Sequence, residues 1–283
     1  MRVVLTDIEG KEGFTSKDTV AGGYGSRLRP FSKVTRVMAR LKRTFVRLPS
    51  VHLAYAAALA RRAGHEVAFS SGELLDGDVA IVLSSLVDHR RESEWARAMR
   101  TRGVHVGFIG LAAQKLPELF ADAADFIVDG EPEHALMRVM KGETLSGKVA
   151  SPQVEDLDSL PFPYWEPLTG TPRTWRVPFA GRPIGGSLPV LGSRSCPEFS
   201  TYCPLRIQSR YRSRSVDNIL DELSYLDDVH GPVHAVFRDA TANPACDRFH
   251  RHARAQKLTV PGIRPCAAQG TRWCLRACPA SRT

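Results

Sequence analysis

Val51-His52-Leu53-Ala54-Tyr55-Ala56-Ala57-Ala58-Leu59-Ala60-Arg61-Arg62-Ala63-Gly64-His65-Glu66-Val67-Ala68-Phe69-Ser70 is the stretch on which the reading of the fold turns. Val51–Ala63 has helix composition, and Gly64 stands where a left-handed residue commonly ends a helix. Glu66–Ser70 then changes to strand composition, and Val79-Ala80-Ile81-Val82-Leu83 is a second, wholly apolar run. Upstream, Val3–Leu5 is a short apolar strand, followed over 7–32 by a polar loop containing Ala21-Gly22-Gly23-Tyr24-Gly25. Downstream come a helix at Arg90–Arg102 closed by Gly103, a strand at Val104–Ile109 and a short helix at Lys115–Phe120. A strand at Phe126–Val128 and a helix at Glu133–Met140 complete the series. Short β-branched runs alternating with amphipathic helices predict parallel strands covered on both faces. Residues 1–150 are therefore expected to form an α/β domain, a doubly wound, Rossmann-like parallel sheet.

Ligands of such sheets sit at the carboxyl ends of the strands. Here those ends carry Asp7, Ser84, Ser85, Gly107, Gly110, Asp129, Gly130 and Glu131. Any one of these loops reads equally well as ordinary turn chemistry. Together they predict a polar rim suited to a large ligand.

The 283 residues suffice for two domains, and 43% apolar with 24% charged residues sits near globular averages. No stretch approaches the roughly 20 apolar residues of a membrane span. Met1–Asp7 is broken by an acid too early for a signal peptide, so a soluble, cytoplasmic protein is expected. The net charge of +9 is carried mainly by 27–47 and 206–214. Those blocks lack the interleaved aromatics of a stacking platform, and nucleic acid is not the expected partner. Six cysteines, none before Cys196, argue for metal chemistry in the second half rather than a disulfide framework.

Residues 151–189 hold Pro152, Pro161, Pro163, Pro167, Pro172, Pro178, Pro183 and Pro189 and read as a linker, extended at Leu157–Pro163. A new strand begins at Pro189–Gly192. It leads to Cys196-Pro197-Glu198-Phe199-Ser200-Thr201-Tyr202-Cys203-Pro204. A helix follows over Asp217–Leu226 with Ser215 as its N-cap, then a strand at His234–Asp239.

With Ser200 in the place of a cysteine, Cys196 to Cys203 resembles the C-x3-C-x2-C loop of radical S-adenosylmethionine enzymes. Three thiolates of one short loop there hold three irons of a 4Fe-4S cluster, and the fourth iron chelates S-adenosylmethionine. The resemblance extends over 190–241 as the start of a (β/α) partial barrel. Leu157–Pro163 looks like the segment that precedes this core in the cobalamin-binding subgroup, with 1–150 as the cobalamin domain. It implies Cys196 and Cys203 as cluster ligands, Ser200 at the third ligand position, and Tyr202 and Asp239 beside S-adenosylmethionine. It further implies that Ser84, Ser85, Gly107, Gly110, Gly130 and Glu131 border a cobalamin. The implied activity is radical methyl transfer to, or rearrangement of, an unactivated carbon of a small-molecule or natural-product substrate. An external donor such as flavodoxin or ferredoxin would supply electrons.

Three departures accompany the resemblance. Asp7-Ile8-Glu9-Gly10 lacks the histidine of classical cobalamin loops. Ser200 is a harder, far less acidic ligand than cysteine, so a cluster held by Cys196 and Cys203 alone is expected to be labile. Only two β/α units precede Asp239. Residues 242–283 then hold seven Arg, four Cys and one Asp but no Glu, the pattern of a shifted reading frame in a GC-rich gene. A zinc site on Cys246, Cys266, Cys274 and Cys278 is the rival reading of that tail. A cobalamin-binding or regulatory module, or a non-functional fragment, is the alternative to the enzyme.

Overall fold

The computed structural model describes residues 1–8, 14–17, 25–28, 31–38, 49–169, 187–196, 209–231 and 234–239. Ser200, Tyr202, Cys203, most of the Gly-rich loop and the whole Cys/Arg-rich tail lie outside them.

The strands are β1 (Arg2–Thr6), β2 (Phe14–Lys17), β3 (Gly25–Leu28), β4 (Glu66–Ser70), β5 (Val79–Leu83), β6 (His105–Ile109), β7 (Phe126–Gly130) and β8 (Gly147–Ser151). Beyond them lie β9 (Ser187–Val190), β10 (Ser193–Arg194), β11 (Arg212–Ser213) and β12 (His234–Phe237). The helices are α1 (Val51–Arg62), α2 (His89–Thr101), α3 (Leu111–Lys115), α4 (Pro132–Met140), α5 (Glu166–Thr169) and α6 (Val216–His230).

Six strands form one sheet in the order β4-β1-β5-β6-β7-β8, and every pairing is parallel. The expected doubly wound α/β architecture is therefore present, with a Rossmann-like central sheet. Period-two alternation along the strands divides its core. Val3, Leu5, Ile81 and Leu83 face α1 and α4, whereas Val4, Ala80, Val82 and Phe108 face Trp95, Ala96 and Met99 of α2. Two antiparallel strands, β2 and β3, pair separately.

The sixth strand, β8, was not expected, because Gly147-Lys148-Val149-Ala150-Ser151 alternates exposed and buried positions at the sheet edge rather than forming an apolar run. It pairs with β7 through Ser151, so the sheet ends one residue past the expected boundary. The helix expected at Lys115–Phe120 is displaced. Helix α3 ends at Lys115 and a 3-10 turn follows at Pro117–Leu119. Pro117 disfavours helical backbone at Leu116 (φ −131°), which breaks the element in two.

Residues 151–169 do not run as a free linker. Val154, Leu157, Leu160 and Trp165 are buried with Leu188, Val190, Leu191 and Leu226 against Val51, Ala54 and Tyr55 of α1. Helix α1 is thus covered on both sides, which explains its alanine-rich sequence: Val51 to Ala60 are all buried. Helix α6 begins as expected, with the Ser215 side chain accepting a hydrogen bond from the Asn218 N–H, and runs on to His230. Strands β9 and β12 pair in parallel around it, a β-helix-β unit, while β10 and β11 pair antiparallel.

Candidate functional site

In a sheet of this order the crevice for a ligand lies where neighbouring strands lead to opposite faces, between β1 and β5. Asp7 follows β1, and Ser84 and Ser85 follow β5. Lys17, delivered by β2, fills the position between them. Its ammonium pairs with Asp7 Oδ1 at 3.1 Å and Glu92 Oε1 at 2.9 Å and donates to the Ile8 carbonyl. Lys17 is 3% exposed and Glu92 wholly buried. Burial opposes a charged lysine here, yet the two carboxylates raise the Lys17 pKa above its ordinary value. Burial raises that of Glu92 against the pull of Lys17 and Ser85.

The residues implied as a cobalamin border are committed within the protein. Ser84 Oγ donates to the Ile109 carbonyl at 2.8 Å and accepts from the Ala113 N–H at 3.0 Å. Ser85 donates through both its N–H, at 2.8 Å, and its hydroxyl, at 2.6 Å, to the Glu92 carboxylate. Gly107 is inside β6, where a Cβ would overlap the Phe126 ring, so its smallness serves packing. Gly130, at φ 124°, lies so close to the Ser151 carbonyl that any side chain would collide. Gly110, at φ 98°, leads into α3 at the carboxyl end of β6. Of the six, it alone is both at a strand end and without a described packing role.

Glu131 serves a different purpose: it joins the first sheet to the second half of the chain. Its carboxylate accepts from Arg212 Nη1 at 3.0 Å, from Arg212 Nη2, and from the Val154 N–H at 2.8 Å, with Arg194 Nη1 at 3.3 Å. Burial alone would raise its pKa. The Arg212 hydrogen bonds, the Arg194 charge and the Val154 N–H overcome this and bring it down to about 2. Alongside, Arg194 pairs with Glu133 at 2.6 Å and lies over the Tyr55 ring, 5.1 Å from its centroid. Arg214 pairs with the buried Glu222. Burial and the Glu222 charge push Tyr55 up to about 12. Two arginines of the basic 206–214 block are therefore internal ion-pair partners rather than an open anion-binding surface.

The second cluster lies where β9 leads toward the cysteine loop. Ser193 Oγ donates to Asp239 Oδ1, and the Gly192 N–H donates to Asp239 Oδ2 at 3.2 Å. Asp239 thus clamps the backbone that leads to Cys196, and burial raises its pKa despite these bonds. Tyr211 hydrogen-bonds Ser193 near both Asp239 and Cys196. Burial, then the Asp239 charge, raises its phenol pKa, with a further push from Cys196 and an opposing pull from Ser193. Cys196 is half-buried with a free thiol. The residue before it, Ser195, has φ 65°, the one positive value at a non-glycine among the described residues. A strained residue of this kind persists only where its surroundings impose it, and such residues cluster at functional sites.

The structure ties Asp239 to Gly192 and Ser193 and sets Tyr211 near both Asp239 and Cys196; no motif marks Ser193 or Tyr211 in the sequence. Among the described residues no group of three His, Cys, Asp or Glu side chains gathers as a metal site. The described part of the loop supplies a single thiol; Ser200 and Cys203 lie outside it. No described helix is long and apolar enough to cross a membrane. Fold and crevice together define a doubly wound α/β protein. The chain has no significant match to a family model, a curated protein or a solved structure.

Proposed function

We propose that this chain descends from cobalamin-binding radical S-adenosylmethionine enzymes and works, where active, in the cytoplasm. Its substrate would be a small molecule or natural product, and a flavodoxin- or ferredoxin-type donor would supply electrons. One observation carries the reading. Cys196 follows a strained Ser195 at the end of a β-strand, beside Tyr211 and an aspartate, Asp239, that closes the next parallel strand. A soft thiolate in that position suits iron. When bound, a 4Fe-4S cluster supplies one-electron reductive cleavage of S-adenosylmethionine, and a corrinoid supplies a methyl group.

The chain's own residues have separate tasks in this proposal. Cys196 and Cys203 hold the cluster, and Ser200 stands at the third ligand position. Tyr202 borders the adenine of S-adenosylmethionine. Asp239 holds Gly192 and Ser193 and so orients the loop leading to Cys196. Ser84, Ser85, Gly107, Gly130 and Glu131 do not fit corrin contacts, since packing or internal hydrogen bonds already occupy them. The cobalamin part of the proposal rests on the strand order and on Gly110.

Ser200 favours a second reading, a cobalamin-binding or regulatory module, or a non-functional fragment, in which the radical half has decayed. Anaerobic iron and sulfide content with a visible spectrum, on the natural chain and on Ser200→Cys, separates the two. About four irons in the natural chain supports a working site. Iron only in Ser200→Cys means a real site disabled by one substitution. Iron in neither overturns the radical reading, and corrinoid retention then tests the module.

A further inference from the structure

Among the described strands, β2 and β3 hydrogen-bond only to each other, from Phe14 opposite Leu28 to Lys17 opposite Gly25. This two-stranded ribbon joins neither the six-stranded sheet nor the strand pairs of the second half. Among the described residues it is Lys17, the last of β2, that ties the ribbon to the sheet. Its ammonium reaches Asp7 beyond β1, the Ile8 carbonyl, and Glu92 in the first turn of α2.

The two sides of this contact are built differently. The sheet side stands without Lys17. Glu92 accepts from the Ser85 N–H at 2.8 Å and from its hydroxyl at 2.6 Å, and Ser85 Oγ accepts from the Asp88 N–H at 3.2 Å. The ribbon side depends on one long, flexible side chain. Closure also confines two carboxylates with a single ammonium, and burial raises the Glu92 pKa in spite of it. That excess negative charge is relieved when the carboxylates meet water. A contact that excludes solvent at an electrostatic cost suits a latch better than a permanent brace.

We propose that the β2–β3 ribbon is a self-inhibitory latch, in which Lys17 shuts the ligand crevice between β1 and β5 and withdraws to open it while the sheet stays folded. The inference rests on the sheet topology and is independent of the cofactors proposed above. A ligand seated between the two strand ends excludes the Lys17 ammonium, so latching and binding compete. Apparent affinity then falls in proportion to the open fraction.

The test is carboxyl footprinting of the full chain with a carbodiimide and glycine ethyl ester, mapped by peptide mass spectrometry, on the parent and on Lys17→Ala. Glu92, Glu133 and Glu222 are all 0% exposed, so each reacts only when something opens. In the parent, Glu92 is expected to react faster than Glu133 and Glu222, because the latch opens without global unfolding. Lys17→Ala should speed Glu92 by at least about tenfold relative to those two, the loss of one charge-assisted hydrogen bond or more. Hydrogen exchange on the same samples should show the β2 and β3 amides accelerated by at least about tenfold relative to those of β5 and β6. Two results would overturn the proposal. Glu92 reacting no faster than Glu133 and Glu222 in the parent means that the crevice opens only with the whole fold, and this comparison decides even where Lys17→Ala does not fold. Acceleration in Lys17→Ala that is no greater at Glu92 than at Glu133, or no greater in the ribbon than in β5, makes Lys17 a structural brace.

Discussion

Replacing Glu131 by glutamine tests whether the first sheet and the second half of the chain are joined through one carboxylate. Glu131 is 3% exposed, and Arg212, Arg194 and the Val154 N–H all converge on it. Its pKa of about 2, against 4.5 for the free side chain, corresponds to about 3 kcal/mol of stability at neutral pH, at about 1.4 kcal/mol per unit. Because the folded value is depressed, that stability is fully present above about pH 5 and is lost as the pH falls toward 2. Removing one member of a buried pair also leaves Arg212 without its carboxylate, while Arg194 keeps Glu133; breaking a buried pair costs a similar amount. Glu131→Gln should therefore lower the unfolding free energy at pH 7 by about 3 kcal/mol in urea titrations followed by circular dichroism. The gap between variant and parent should shrink as both are titrated from pH 5 to pH 3. Glu92 and Glu222, whose pKa values burial raises, act with the opposite sign, but they are common to both chains and cancel in the difference. A gap below about 1 kcal/mol at pH 7, or one independent of pH, would refute the assigned role.

Gly130→Ala should be among the most damaging small substitutions, costing about 3 kcal/mol or more, because positive φ and the Ser151 carbonyl both oppose a Cβ. Its unfolding midpoint compared with that of Gly142→Ala, where φ is also positive but nothing lies within 4 Å, separates the clash from the backbone strain. Lys17→Met keeps the length of the side chain but strands Asp7 and Glu92 in the β1–β5 crevice. A loss of about 3 kcal/mol is expected at pH 7. It should diminish in acid as Glu92, whose pKa burial raises, protonates; a stability equal to the parent's would show that the crevice does not depend on this triad.

The local sequence was enough to determine five of the six strands of the first sheet. Apolar β-branched runs such as Val79–Leu83 can be satisfied only by burial on both faces, and Gly64 and Gly103 close their helices by a backbone conformation that needs no partner. The Ser215 cap was legible for the same reason, since its acceptor and donor lie three residues apart. Strand β8 escaped because a half-exposed edge strand carries a weak pattern. The packing of residues 151–169 escaped because proline content signals extended backbone but not what covers it. At the candidate site, Cys196 was singled out by the cysteine motif and Asp239 by its place at the end of a strand. Tyr211 and Ser193 were not, because neither stands out by type or spacing.

The charges were the least legible. Lys17 looked like one cation in a polar loop, and Arg212 and Arg214 looked like part of a basic surface block. Only the tertiary structure shows that each is packed against carboxylates outside its own segment: Asp7 and the distant Glu92 for Lys17, the distant Glu131 for Arg212, and Glu222, on the helix that follows, for Arg214. Apolar periodicity is a local property that burial must satisfy wherever the segment packs. An ion pair depends on two distant positions meeting, and that meeting exists only once the elements between them have folded.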